Sequence, residues 1–305
     1  MNITVAICTW NRAGLLGQTL DAMTRLRIPE GVTWELLVVN NNCTDDTDQV
    51  TAAYTGRLPL RRLWELRPGK SNACNLAVRE ALGEYMLWTD DDVLVDPNWI
   101  AVYCGAFRRH PTAAVFGGRI DPWFAGTPPA WLREVFPRVA VAYAAVDHGD
   151  AELPMSWVRF PFGANMVIRT AEQRQHLYDP TLGPQRNAGL RGEETDVICS
   201  ILKAGSEGWW VPKARVKHYI PPERQTVRFL RSWYTGYGRI FAREIDVAET
   251  SKWFGRPRWL WRKALERELC YRFRRLCGRS AQWVEDLIQA STAWGMLRSL
   301  GERGV

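Results

Sequence analysis

Short β-branched apolar runs alternate with helical stretches over the first 90 residues, and few folds accept that pattern. Ile3-Thr-Val-Ala-Ile-Cys8 reads as a buried strand. Leu16, Leu20, Met23 and Leu26 follow at helical spacing, and Trp34–Val39 reads as a second strand. Asp45 closes a polar cluster and can cap a helix starting near Asp46. Leu60–Leu66 is expected as a third strand, Ser71–Leu82 as a helix and Glu84–Thr89 as a strand. Strands separated by single helices are βαβ units, which require a mostly parallel sheet with right-handed crossovers. The fold class is therefore α/β, a mostly parallel sheet flanked by helices.

The middle of the chain is less regular. Ala114–Ile120, Ala164–Arg169 and Trp209–Val211 are expected as strands, and residues 121–156 as a loop with one short helix. Val197, Ile198, Ile201 and Leu202 give one apolar face to a helix from about 193 to 204. From Thr226 onward the pattern is helical. A length of 305 residues suits two domains, or one large α/β domain over about 1–240 with an extension over 241–305.

Hydrophobic residues make up 46% and charged residues 24%, which excludes disorder, collagen and coiled coil. No run of about 18 apolar residues is present, and the first residues carry no basic stretch before their apolar run, so neither a spanning helix nor a secretory signal is expected. Seven scattered Cys without a C-x-x-C pair point to reduced thiols in a cytoplasmic setting, not to zinc or disulfides. Residues 251–305 hold 12 Lys+Arg against 5 Asp+Glu, a net of +7, which equals the net charge of the whole chain. One segment thus carries the entire excess.

Several clusters carry chemistry. Asp90-Asp91-Asp92 follows directly on an apolar strand, at the kind of strand end where ligands bind in open α/β sheets. Adjacent carboxylates repel, and a hard divalent cation such as Mg²⁺ or Mn²⁺ relieves the repulsion. A solvated acidic turn capping a helix near Pro97–Phe107 is the plain alternative. Gly192-Glu193-Glu194-Thr195-Asp196 places acids in a first helical turn, where the helix dipole favours them. One of them can also act as a general base on a hydroxyl. His218 lies in Val216-Lys-His-Tyr-Ile-Pro-Pro222, which the prolines mark as a loop. It is either a surface histidine or a metal ligand. Cys8-Thr9-Trp10-Asn11-Arg12 sits at a strand–helix turn, with small polar groups for a nucleotide and an indole for stacking. Asn40-Asn41-Asn42 ends the next strand, where amides offer a donor and an acceptor to a base edge or form an Asx turn. Gly69-Lys70-Ser71 starts a helix where Lys70 can help hold a diphosphate. Neither G-x-G-x-x-G nor a P-loop is present. Arg-rich stretches with Trp come without any nucleic-acid-binding motif, so no nucleic-acid partner is expected. Trp123, Trp131 and Trp157 suit either sugar stacking or core packing.

Taken in order, Cys8–Arg12, Val38–Asn42 with Thr44-Asp45, Gly69–Asn75, Thr89–Asp92, Phe162–Met166, Gly192–Asp196 and His218 resemble a nucleotide-sugar glycosyltransferase of family 2 with the GT-A fold. The likeness covers about residues 1–240. It implies a nucleoside-diphosphate sugar donor, with a UDP-sugar favoured, a Mn²⁺ or Mg²⁺ cofactor, and inverting transfer to a saccharide or lipid-linked hydroxyl in cell-surface polysaccharide or glycolipid synthesis. By the same resemblance Thr9, Trp10, Asn11, Arg12, Asn40, Asn42, Lys70, Asn75, Asp90 and Asp91 contact the nucleotide. Asp92, joined by Asp91 and by His218 on a loop closing over the donor, binds the metal. Glu194 is the base and Glu193 holds acceptor hydroxyls, with the choice between the two left open. A sugar-nucleotide nucleotidyltransferase and a non-catalytic membrane-surface scaffold are the rival readings.

In the extension, Trp261, Leu265, Leu269, Phe273 and Leu276 fall near one helical face, with Arg262, Lys263, Arg267, Arg274 and Arg275 around it. Ser280 can cap a second helix with a stripe of Val284, Leu287, Ile288, Trp294 and Leu297. Such helices either pack on the catalytic domain or a second subunit, giving a homodimer through 251–305, or lie on the inner face of a membrane.

Overall fold

The structure, a computed structural model, describes residues 1–156, 159–181, 193–242, 245 and 250–302. Two compact units are present, Met1–Trp123 with Ala144–Tyr219, and Phe124–Tyr143 with Ile220–Val305. The helical unit thus starts earlier than position 241 and takes in a segment from the middle of the chain.

The first unit runs β1 (Asn2–Thr9), α1 (Ala13–Met23), β2 (Thr33–Asn40), α2 (Thr47–Ala53), β3 (Leu60–Trp64), α3 (Lys70–Glu80), β4 (Tyr85–Asp90), β5 (Val93–Val95), α4 (Trp99–Arg109) and β6 (Ala113–Phe124). The second unit interrupts it with α5 (Ala130–Val139). The first unit resumes with β7 (Leu153–Pro154), β8 (Met166–Arg169), α6 (Thr170–Gln175), α7 (Glu193–Lys203) and β9 (Glu207–Ile220). One sheet has the order β3-β2-β1-β4-β8-β6-β9-β5, with β7 added on β9. Strands β1 to β4 form its parallel heart, with Ile3 opposite both Trp34 and Tyr85. Strand β8 then joins β4 antiparallel, and β5 joins β9 in the same sense.

Strands β1, β2 and β4 are apolar on both faces over most of their length, as strands covered on both sides must be. Val5, Ile7, Leu36, Val38 and Leu87 pack under α1 and α4 against Leu16, Leu20, Trp99 and Tyr103. Ala6, Leu37, Val39, Met86 and Trp88 face the other way, against Ala73, Cys74 and Ala77 of α3 and Ile198 and Ile201 of α7. A fully buried Leu or Val stabilises by about 2 kcal/mol, so this double-faced packing fixes the register of β1, β2 and β4 and aligns their carboxyl ends.

Two sequence expectations need correction. The segment around His218 is not a loop. It belongs to β9, a 14-residue strand, and His218 pairs with Val93 of β5. Buried Ala214, Val216, His218 and Ile220 alternate with exposed Lys213, Arg215 and Lys217, the period of a half-buried strand, and the prolines act only after it ends. Nor is the acidic triplet a solvated helix cap. Asp91 and Asp92 are buried in the β4–β5 turn, and the backbone N–H of Asn98 before α4 donates to Asp96 Oδ1 at 2.8 Å.

The second unit adds α8 (Val227–Phe241), a hairpin of β10 (Lys252–Trp253) and β11 (Arg256–Pro257), α9 (Arg258–Cys277) and α10 (Ser280–Glu302). Leu132, Val135, Leu230, Tyr271, Trp283 and Leu287 build its core. Trp131 lies against Trp283 at 5.4 Å between ring centroids, in that core. Trp123 meets Tyr219 edge-on in the first unit, and Trp157 lies outside the described residues.

Candidate active site

The carboxyl ends of β1, β2 and β4 place Thr9, Asn40 and Asp90 along one sheet edge. The three acids that follow β4 have three different settings. Asp91 is knotted into the scaffold. Thr9 Oγ1 donates to its Oδ2 at 2.7 Å, Arg12 donates to its Oδ1 at 3.0 Å, and Thr19 Oγ1 donates to its backbone carbonyl at 3.0 Å. With both carboxylate oxygens taken, Asp91 stays outside the cluster formed by its two neighbours. Burial pushes its carboxyl up to about 6, against the pull of Arg12 and with Asp92 and Asp90 adding to the rise.

Asp90 and Asp92 converge on His218, each offering one ligand atom within 4.8 Å of the others. Arg12 donates to Asp92 Oδ2 at 2.7 Å. Asp92 Oδ1 is buried and accepts no hydrogen bond among the described residues, with His218 Nε2 3.4 Å away. A buried carboxylate oxygen in that state is costly unless something positive comes to it. Asp90 is more open, with about a quarter of its side chain exposed. Burial raises its carboxyl, yet Lys70, His218 and Arg12 together outweigh that and hold it below the usual range.

Lys70 joins this corner to the acid of α7. Its Nζ lies 3.1 Å from Asp90 Oδ1 and 3.0 Å from Glu194 Oε1. The ammonium sits at the first position of α3, after Gly69 at φ +118, a conformation that suits glycine. Glu194 lies in the first turn of α7 and is partly buried, while the side chain of its neighbour Glu193 lies outside the described residues. Lys70, Asp90, Glu194, Cys8, Cys74, Gly163 and Tyr178 line a narrow pocket there. The arrangement offers a paired-acid cation site, an ammonium for a phosphate, and a carboxylate able to take a proton within one side chain's reach.

The remaining expected residues divide. Trp10 presents its indole at the surface beside this edge. The asparagines mostly hold the backbone. Asn11, at φ +52, accepts the Thr44 N–H at 2.7 Å through Oδ1. Asn40 accepts the Cys43 N–H at 2.8 Å and donates to Asp48 at 3.0 Å. Asn42, also left-handed at φ +61, donates to the Leu66 carbonyl at 2.6 Å. Asn75 accepts from and donates to the Tyr178 backbone, at 2.9 and 2.8 Å, so its amide clamps the far wall of the pocket.

Sequence reasoning missed four residues. Asn41 donates to the carbonyls of Glu65 and Arg67, both at 2.8 Å, and accepts the Gly69 N–H at 2.9 Å, which shapes the loop leading to Lys70. Asn165 is buried with all four amide bonds made, to Trp99, Tyr103, Arg119 and Ala214. It fixes the turn that carries Gly163, where a Cβ would collide with Glu194 Oε1. Tyr178 gave no signal at all. The adjacent Asn in N-N-N and the Gly and Asn of F-G-A-N-M were visible, but not their purpose.

Similarity to known proteins agrees with this geometry. The model of the family "Glycosyl transferase family 2" matches residues 4–157. The succinoglycan biosynthesis protein ExoM of Rhizobium meliloti is 23% identical over 256 residues, which are 79% of this chain and 76% of ExoM. The poly(ribitol-phosphate) β-N-acetylglucosaminyltransferase TarS of Staphylococcus aureus is 22% identical over 143 residues, but these are 46% of this chain and only 25% of TarS. Among solved structures, the mannosyltransferase PcManGT of Pyrobaculum calidifontis, in complex with GDP-Man and Mn²⁺, superposes with a TM-score of 0.63 at 17% identity, covering 99% of this chain and 87% of that one. A structure of S. aureus TarS 1-349 with UDP gives 0.54 at 15% identity, over 98% and 91% of the two chains. The sheet, the acidic corner at its edge and the family match lead to one conclusion: the chain belongs to glycosyl transferase family 2 and carries its catalytic unit on a GT-A type fold.

Proposed function

We propose that the protein transfers a glycosyl group from a nucleoside-diphosphate sugar, with a UDP-sugar favoured, to an acceptor hydroxyl with inversion. The observation that supports this reading is the convergence of Asp90, Asp92 and His218 around a buried carboxylate oxygen that accepts no hydrogen bond among the described residues, one lysine away from Glu194. The two carboxylates fit Mn²⁺ or Mg²⁺, which prefer oxygen ligands and share their shell with phosphates, and the imidazole is a softer third group that Mn²⁺ accepts more readily than Mg²⁺. When bound there, the ion supplies Lewis-acid stabilisation of charge on the donor diphosphate.

The protein's own groups account for the rest. Lys70 approaches the diphosphate from the α3 N-terminus, where backbone N–H groups also favour an anion. Trp10 offers a stacking face to the base, and Thr9 and Arg12 hold Asp91 and Asp92 in place for it. As the bond between sugar and phosphate breaks, the nucleoside diphosphate leaves and the anomeric carbon gains oxocarbenium character. The acceptor oxygen attacks from the opposite face, and Glu194 takes its proton. That proton becomes acidic only late, so an ordinary carboxylate suffices.

The succinoglycan and poly(ribitol-phosphate) relatives support an acceptor in polymer synthesis, and a saccharide or lipid-linked hydroxyl is the acceptor proposed here. The complex of TarS with UDP supports the choice of base. No observation favours the nucleotidyltransferase or scaffold alternatives. A thermal-shift series with UDP, with and without Mn²⁺, tests the reading. Wild type is expected to gain stability from UDP and more from UDP with Mn²⁺, and Asp92→Asn to lose the Mn²⁺-dependent part. An Asp92→Asn response equal to wild type contradicts the assignment.

A further inference from the structure

We propose that the outer face of α9, together with the β10–β11 hairpin, is a docking surface for an anionic phospholipid bilayer. The proposal rests on the second unit alone and goes beyond the glycosyl-transfer reading. The sequence pattern groups Leu265, Leu269, Phe273 and Leu276 on one side of a helix. The structure turns that side outward, leaving the four residues 50%, 68%, 70% and 89% exposed. Leu260, Ala264 and Tyr271, on the opposite side, make the contacts with the core. At about 100° per residue the four exposed side chains fall within an arc of about 80°, a continuous apolar stripe along a 20-residue helix. Scattered apolar side chains on a surface are ordinary, whereas a stripe of this size marks a binding site.

A second feature continues the stripe. The hairpin pairs Trp253 with Arg256, so Phe254 and Gly255 form its two-residue turn. Both have positive φ, +49 and +72, as in the tight turn that usually carries Asn-Gly. A phenylalanine is out of place there on conformational grounds, and its ring is 89% exposed. The hairpin is seated on the first turns of α9. Trp261 Nε1 donates to the Trp253 carbonyl at 3.1 Å, the Arg258 guanidinium lies over the Trp253 ring at 4.8 Å, and the Phe254 and Trp261 rings are 6.4 Å apart. An aromatic tip is thus fixed at one end of the apolar stripe.

Charge selects the occupant. Residues 252–279 contain ten Lys and Arg against Glu266 and Glu268. Arg267 and Arg274 hold Asp286, and Arg231 and Arg272 hold Glu268. Arg262 and Lys263 near the start of the stripe, and Arg275 and Arg279 near its end, are exposed. Large apolar side chains with Trp and Phe at one end and arginines along the edges match an interface of acyl chains and anionic headgroups. A second copy of the same face would set these arginines against one another.

Flotation of the full chain with lipid vesicles tests this. Binding is expected to phosphatidylcholine vesicles containing phosphatidylglycerol, but not to phosphatidylcholine alone, and to fall when salt rises from about 0.1 M to about 1 M. Leu269→Glu with Phe273→Glu is expected to lower the partition coefficient at least about tenfold. Both positions are exposed, so the thermal melt should stay unchanged. If it shifts, Arg262→Glu with Lys263→Glu reads the same surface through charge and should also abolish flotation. Absence of flotation on the anionic vesicles overturns the proposal, as does flotation indifferent to both double variants. A dimer in sedimentation velocity that Leu269→Glu with Phe273→Glu dissolves would assign the face to a second copy and overturn it equally.

Discussion

Glu194 and Asp92 are both carboxylates near one lysine, yet their surroundings prepare them for different tasks. Asp92 is buried against Arg12 and His218, whereas Glu194 lines the pocket and pairs with Lys70. Glu194→Gln keeps the shape and removes the proton acceptor. Transfer is expected to fall roughly 10²–10⁴-fold, the usual worth of general-base catalysis, with UDP affinity nearly unchanged. Steady-state kinetics beside calorimetric UDP titration checks this, and equal loss of both would remove Glu194 from the chemistry. Gly163→Ala probes the same carboxylate from behind. Its Cβ would push Glu194 Oε1 aside without entering the hydrophobic core. The expected result is a drop in turnover of roughly tenfold or more with a nearly unchanged melting temperature, since small misplacements of a reacting group are costly. The acids themselves stand out in the chain, but the meeting of Lys70 with Glu194 spans 124 residues and is set only by how α3 and α7 pack on one face of the sheet.

At the scale of elements, the loop from β3 to α3 decides where Lys70 points. Asn41 ties it at three backbone groups, and Glu65 accepts from Arg67 N at 2.8 Å, Nε at 3.0 Å and a terminal guanidinium nitrogen at 2.7 Å. Asn41→Ala is expected to cost about 1–3 kcal/mol, because it leaves the buried Glu65 carbonyl and two partly buried loop groups without this partner, and to weaken UDP binding through a displaced Lys70. A denaturant melt with UDP titration measures both effects. The hydrogen bonds from Arg67 hold the Glu65 carboxyl below its usual 4.5 despite its burial. A carboxyl lowered on folding contributes stability above its unfolded value and loses it as pH falls through the folded one. The stability gap between wild type and Glu65→Gln should therefore be widest near neutral pH and narrow as the pH drops below about 4.5, which melts across a pH series will show.

The sequence announces β1, β2 and β4 plainly, because strands buried on both faces must be largely apolar, whereas β3 carries Arg61 and Arg62 at the sheet edge. Strand β9 was legible in the alternation from Lys213 to Ile220, but the prolines after it drew attention away, and with them the position of His218 as a strand residue beside Val93. Nothing local marks β5 or β7, which are three and two residues long and exist only by pairing with β9.

For the whole molecule, the two units place their buried charges differently. Both have apolar cores, but the sheet unit buries Asp91 and Asp92 at its edge, beside Arg12, whereas the helical unit buries Asp286 between helices, held by Arg267 at 3.1 Å and Arg274 at 2.9 Å. Replacing Asp286 by Ala leaves two arginines facing the core of that unit and should cost about 2–4 kcal/mol, somewhat below the worth of a fully buried pair because both arginines are partly exposed. Calorimetry would show the loss in the thermal transition. No helix among the described residues is long and apolar enough to cross a membrane. The most direct measurement is a crystal structure of the protein with UDP and Mn²⁺. The expected map shows the ion at the cluster of Asp90, Asp92 and His218 and the diphosphate beside it and Lys70; UDP bound elsewhere, with that corner closed by Arg12, would contradict the assignment.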